Sequence, residues 1–260
     1  MEHKDLVREE FTRQAPAYAD AQVIKDPLHL DKLVEAVRPA PEAGVLEIAT
    51  GPGHVALAFA RVCREVIGVD LTEAPLKIAN KMRAERGLSN VSFQLGDVEA
   101  RLPFSDGEFD VVVCRFAIHH FEHPRNVVSE MSRLCRVGGT VAVEDLIASE
   151  HPDRAEYHNR FERLRDSSHT RALPLSEIVL MLAASGLELV RFSSDGLPNP
   201  VERWFDSAQT PADKRAIALA MIGDQREDLS GTNPRRIDGE LFFTHRTAIV
   251  VTRKLKPATT

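Results

Sequence analysis

The stretch from Val45 to Asp70 constrains the fold of this chain more than any other. Val45-Leu46-Glu47-Ile48-Ala49 reads as a short buried strand, and Thr50-Gly51-Pro52-Gly53-His54 as a glycine turn. Val55 to Cys63 is an apolar, alanine-rich helix, and Glu65 to Asp70 is a second strand ending in an acid. A strand, a Gly-x-Gly turn, a helix and a strand-end carboxylate about twenty residues later make half of a nucleotide-binding fold. The glycines let a ligand approach the backbone, and the helix start presents free N–H groups at a positive dipole end. Asp70 can accept both hydroxyls of a ribose.

The glycines alone do not choose the ligand, because Gly51-x-Gly53-x-x-Ala56 also satisfies a loose dinucleotide fingerprint. Glu47 is more telling. An acid inside an apolar strand needs a partner. A pyrophosphate offers it none, whereas a ligand with an ammonium group does. Glu47-x-Ala49-x-Gly51-x-Gly53 resembles motif I of the class I S-adenosylmethionine (SAM) methyltransferases. In that resemblance the acid and the turn, Thr50 included, hold the amino-acid end of SAM. A strand–turn–helix with no ligand is the plain structural alternative.

The resemblance extends along the chain. Phe11-x-x-Gln14-Ala15-x-x-Tyr18 is similar to the opening of type 11 methyltransferases related to ubiquinone and menaquinone biosynthesis, where it lies over the cofactor. Pro103-Phe104 followed by Phe109-Asp110 before the apolar run Val111 to Cys114 is typical of the same group, as is Arg133-Leu134 leading to Gly138-Gly139. Asp97 after the third strand matches the acid that meets the adenine amino group, with the Val98 N–H at the ring. Leu71 and Arg115 complete the implied cofactor contacts; Arg115 otherwise binds an anionic acceptor or caps its strand. The implied fold is α/β, a seven-stranded doubly wound Rossmann-like sheet of order 3-2-1-4-5-7-6 with the last strand antiparallel.

Periodicity fills in the elements. Helical pieces cover 1–38, and helices are expected from Thr72 as N-cap to Arg86, from 125 to 135, from 153 to 165, and from Ser176 as N-cap to Ala184. Strands are expected at 91–95, 111–114, 141–145 after a tight turn at 136–140, 187–192 and 241–251, and residues 256–260 form a loose tail. Three segments, 1–38, 150–172 and 198–236, read as a cap on this single domain. The polar run 150–172 reads as a solvated helix and loop, yet Arg165, Asp166, His169 and Arg171 crowd together in a segment that resembles a type 11 subgroup.

Composition bounds the partners. The chain has 260 residues, 43% of them hydrophobic, and a net charge of -6. Those figures allow a full core and argue against DNA or RNA as the main partner. Cys63, Cys114 and Cys135 sit in apolar runs without metal spacing, so they are expected to be reduced and the protein cytoplasmic. No signal peptide or spanning segment is expected, and a monomer or a homodimer fits equally.

The expected activity is transfer of a methyl group from SAM to a small-molecule acceptor, at oxygen or carbon, on a quinone-like or aromatic compound. The product is S-adenosylhomocysteine (SAH). SAM is already activated, so the protein aligns the acceptor and removes a proton where needed, with no metal required. His119, His120 and His169 are the candidate bases. Tyr18, His29, Phe116, Asp145, Arg165, Arg171 and Trp204 are the candidate acceptor contacts. Elimination, hydrolysis or rearrangement on the same fold, and a non-catalytic SAM-binding module, are the alternatives.

Overall fold

The computed structural model describes residues 2–223 and 227–256. Three helices open the chain: α1 (His3–Asp20), α2 (Gln22–Lys25) and α3 (Pro27–Val37). The Asp26 carboxylate caps α3 by accepting the Leu28 N–H at 2.9 Å, with Pro27 in the first turn. There follow β1 (Gly44–Ile48), α4 (His54–Phe59), β2 (Glu65–Asp70), α5 (Glu73–Glu85), β3 (Val91–Leu95) and β4 (Phe109–Arg115). A 3-10 turn (Ile118–His120) leads to α6 (Pro124–Leu134) and β5 (Cys135–Ala148). The chain continues with α7 (Pro152–Arg165), β6 (Leu173–Pro174), α8 (Leu175–Ala184) and β7 (Leu187–Pro200). It closes with α9 (Val201–Ser207), α10 (Ala212–Gly223), β8 (Arg235–Ile237) and β9 (Glu240–Lys254).

The main sheet runs β3-β2-β1-β4-β5-β9-β7, and β9 is antiparallel to both neighbours. This is the expected order of seven strands, with two short additions: β6 pairs with β5 and β8 with β9. The central strands are apolar on both sides because helices cover both faces. One face packs Leu46, Ile48, Val112 and Val143 against α6 and α8; the other packs Val45, Val111 and Val113 against α3 and α4. Cys63, Cys114 and Cys135 are buried free thiols.

Four local expectations change. The glycine stretch before the fifth strand is an irregularity inside β5, where the pairing with β4 shifts between Phe109 and Val111. A Cβ on Gly139 would stand 2.7 Å from the Asp110 carbonyl oxygen, which is why the strand passes there as glycine. The strand at 187–192 extends to Pro200 because β9 pairs with it along its length, despite the turn-forming residues Gly196 and Pro198. Pro174 rather than Ser176 sits at the N-cap of α8, and the Ser176 N–H and hydroxyl both bond Glu150. Thr72 occupies the N-cap of α5 without a side-chain capping bond.

The 150–172 run is not merely solvated. His158, Asn159, Phe161, Glu162, Asp166, Ser168 and His169 are all buried. Phe161 joins Val201, Trp204, Phe205, Ala218, Ile222 and Phe243 in a third apolar cluster between α7, α9, α10 and the overhanging start of β9. Among the described residues no helix is long and apolar enough to cross a membrane. Of the expected tail, residues 257–260 lie outside the described residues.

Candidate active site

The β1–α4 loop is held by two carboxylates. Glu47 Oε2 accepts the Thr50 hydroxyl at 2.5 Å and the Ala56 N–H at 2.8 Å, which ties the end of β1 to the first turn of α4. Gly68 on the neighbouring strand leaves room for Thr50: a Cβ there would lie 2.6 Å from its Oγ1. Asp70 accepts the Gly51 N–H and the Thr72 N–H, each at 2.8 Å, and so draws the glycine loop onto the end of β2. Gly53 starts α4 at φ 82, where an added Cβ would fall 2.7 Å from the Phe93 ring. Glycine is required there both by conformation and by space.

This loop floors a cleft that opens to solvent. Glu47, Ala49, Thr50, Gly51, Asp70, Leu71, Asp97, Val98 and Arg115, all predicted from sequence, lie on its wall. Gly53 acts from behind, through the start of α4. Burial pushes the Glu47 carboxyl up to about 8 and that of Asp70 up to about 6. Asp97 is engaged by Lys4 of α1, whose Nζ donates to Oδ2 at 2.6 Å. Arg115 uses every guanidinium nitrogen within the protein. It donates from Nε to Glu144 at 2.9 Å and from Nη1 and Nη2 to the Ile24 and Val23 carbonyls at 3.2 and 3.0 Å. It therefore clamps α2 onto the sheet as well as facing the cleft.

A second cavity opens beside the first. Phe11, Tyr18, Ile24, Phe116 and His120 line both. Phe116 holds φ 51, a left-handed conformation costly for an aromatic residue, of order 1–3 kcal/mol. The strain sits at the junction of the two spaces. His29, His119, Arg165 and Trp204 line the second cavity and not the first. Asp145, His169 and Arg171 line neither. Asp145 is buried behind His119, His169 is buried with its Nε2 against Asn159 Oδ1 at 2.8 Å, and Arg171 lies at the surface paired with Glu177.

A methyltransferase-domain family model matches residues 46–143, the strands and loops that build the cleft. The uncharacterized methyltransferase YcgJ of Bacillus subtilis (strain 168) is 37% identical over 222 residues, covering 85% of this chain and 87% of that protein. The chain belongs to the methyltransferase family. The crystal structure of YcgJ superposes with a TM-score of 0.82 at 32% identity, over 87% of this chain and 98% of that one. A protein from Bacillus halodurans C-125 described as a methyltransferase gives the same TM-score and identity, over 87% and 99%. At 14% identity and TM-score 0.62, the fold alone is shared with geranyl diphosphate C-methyltransferase from Streptomyces coelicolor A3(2), over 93% and 83%; that structure holds SAH.

The methyltransferase takes SAM as methyl donor and a small molecule as acceptor. The donor set of the cleft fits SAM. Glu47 keeps Oε1 clear of protein donors among the described residues, so one carboxylate oxygen is available to an ammonium group. That ammonium would favour the ionised acid. With burial lifting the Glu47 carboxyl to about 8 and an ammonium partner favouring its ionised form, SAM binding at pH 7 is expected to release up to about one proton. Calorimetric titrations in buffers of different ionisation enthalpy measure it, and Glu47→Gln should abolish the release. The linkage has a second face. Between the ordinary carboxylate range and about 8, folded Glu47 is protonated while the unfolded chain is not, so apo stability falls as pH rises through that window.

His158 and Glu162 of α7 and His245 of β9 bring ligand-type atoms within 4.8 Å of one another. They satisfy each other as hydrogen bonds. Asn199 Nδ2 donates to the Leu197 carbonyl at 2.8 Å and to His245 Nδ1 at 3.0 Å. The His245 proton is thus on Nε2, which donates to Glu162 Oε1 at 2.5 Å, and His158 Nε2 reaches the same oxygen at 3.2 Å. Sequence reasoning missed this cluster and also Lys4, Ile24, Leu146 and Leu197 on the cavity walls. None carries a local signal, since each reaches its place only through long-range folding.

Proposed function

We propose that the acceptor is a small, largely apolar ring compound held in the second cavity, and that the methyl group passes to its oxygen or carbon across the shared wall. One observation carries the reading: the second cavity meets the SAM cleft through Phe11, Tyr18, Ile24, Phe116 and His120. With Trp204 added, its lining is rich in aromatic faces, which suit a flat ring. Segments 1–38, 150–172 and 198–236 supply most of the wall away from the sheet, which supports treating them as a cap on one domain. The reading takes the protein as cytoplasmic, supported by three free buried thiols. It assigns no nucleic-acid partner, supported by the net charge of -6.

Leu146 lines the second cavity and not the first. Leu146→Trp is therefore expected to leave SAM affinity within about twofold while stopping SAH formation from SAM and a small-metabolite extract. Calorimetry and mass spectrometry read the two quantities. Unchanged turnover would place the acceptor elsewhere.

A further inference from the structure

Asp145 is 1% exposed and fully committed. Its Oδ2 accepts the Ile118 N–H at 2.7 Å, and its Oδ1 accepts the Leu146 N–H at 2.6 Å and His119 Nδ1. The His119 carbonyl accepts the Thr170 N–H at 2.8 Å and the Thr170 hydroxyl at 2.7 Å, so the 3-10 turn is fixed from the cap side too. With Nδ1–H directed at Asp145, the His119 lone pair is on Nε2. That atom has no protein partner among the described residues and is not among the buried atoms left unpaired, so it faces the second cavity. His120 offers no such support: its Nδ1 meets Ser168, at 3.1 Å from both its carbonyl and its hydroxyl oxygen.

We infer that His119 and Asp145 form an acid–base dyad for a weakly acidic hydroxyl, so that the acceptor is a phenol or enol methylated at oxygen. The inference rests on placing the acceptor in the second cavity. In the step, the hydroxyl proton moves to His119 Nε2 as the oxygen attacks the methyl carbon. The O–CH3 bond forms, the S–CH3 bond breaks, and its electron pair stays on sulfur as neutral SAH. Asp145 is the positioning residue: it selects the tautomer and faces the imidazolium that results. A hydroxyl acceptor benefits from such a base because its own acidity is too weak at neutral pH. A carboxylate acceptor has no proton to lose.

The charged and titratable groups around His119 are Asp145 on β5, the adjacent His120, His169 in the following loop, Glu162 on α7 and Asp166 beyond it. Burial alone would push His119 down, but Asp145 outweighs it and holds the imidazole above its ordinary value. Burial and the charge of His119 push His120 down to about 4. The stronger base is the one aimed at the cavity and backed by the carboxylate.

The test uses 4-nitrophenol, whose phenolate is coloured, titrated into the SAH-saturated protein across pH. Bound probe is expected to reach half-ionisation about one pH unit below the free probe. His119→Gln and Asp145→Asn should each return that point to the free value while calorimetric SAH affinity stays unchanged. Loss of SAH binding in the wild type would defeat the cofactor site instead, which separates the two failures. A bound probe that ionises at the free value, no bound probe at all, or an Asp145→Asn variant that keeps the shift would overturn the dyad. Should Asp145→Asn lose cooperative melting, His119→Gln decides by itself.

Discussion

Replacing Asp70 by alanine is expected to weaken SAM binding on the order of 100-fold while leaving a folded protein. Two losses combine. If Asp70 holds the ribose as the sequence implies, the ribose hydroxyls lose a charge-assisted acceptor, worth roughly 1.5–3 kcal/mol. The Gly51 and Thr72 N–H groups lose the carboxylate that draws the glycine loop onto β2, so the floor of the cleft is no longer preset. Asp70→Asn keeps the shape and one acceptor and should fall between. The same group gives a pH signature. Burial lifts Asp70 to about 6, so SAM affinity should decline as pH falls through that value and the acceptor is protonated. Calorimetry on the three proteins at neutral and mildly acid pH checks both points. Undiminished affinity in the alanine variant would remove Asp70 from the cofactor contacts.

The largest effect on stability is expected from Glu162→Ala. The carboxylate is 1% exposed, and one of its oxygens receives both His158 and His245. Removing it strands two imidazole N–H groups in the interior beside the Phe161–Trp204–Phe243 cluster. Breaking a buried pair in this way costs roughly 3–5 kcal/mol. At about 2–4 °C per kcal/mol for a chain of this size, the melting temperature should drop by about 10 °C. Burial by itself would raise the Glu162 carboxyl, yet His245 and His158 hold it well below the ordinary range. Its contribution is complete above the ordinary carboxylate range and fades as pH falls through the depressed value. His245, kept neutral by burial, acts in the same direction, because the unfolded chain takes up the proton first. Scanning calorimetry of the wild type, Glu162→Ala and Glu162→Gln across pH 4–7 would show it. A change of less than about 2 °C in the alanine variant contradicts the assignment.

The nucleotide-binding half of the fold was legible because its signals are local. Glu47, Gly51, Gly53 and Asp70 announce themselves within one strand–turn–helix–strand unit, and the structure gathers Glu47, Gly51 and Asp70 on one cleft with Gly53 behind it. The sheet order came from resemblance, since no single strand states its neighbour. The 150–172 run resisted reading for a physical reason. Charged and polar side chains in 150–172 look solvated when counted one by one, but they satisfy each other inside: Asn159 with His169, Asp166 with Ser168, Glu162 with two histidines. Burial of polar groups depends on partners that sequence proximity does not reveal. For the same reason His169 and Arg171, two positions apart, end in opposite settings, one sealed behind His119 and one at the surface. The contact of Lys4 with Asp97, 93 residues away, has no pattern at all in the chain.

Helix α1 serves both spaces at once. Its first turns reach over the SAM cleft, with Lys4 on Asp97 and the His3 ring against the His120 carbonyl at 2.7 Å. Its middle and its last turn supply Phe11 and Tyr18 to the shared wall, and Gln14 donates to Asp166 at 3.3 Å. On the proposed placement of the acceptor, this one helix borders both ligands, so settling around one alters its fit to the other. The two binding events are then expected to be thermodynamically linked, and linkage is symmetrical: whatever factor SAM lends to acceptor affinity, the acceptor must return to SAM.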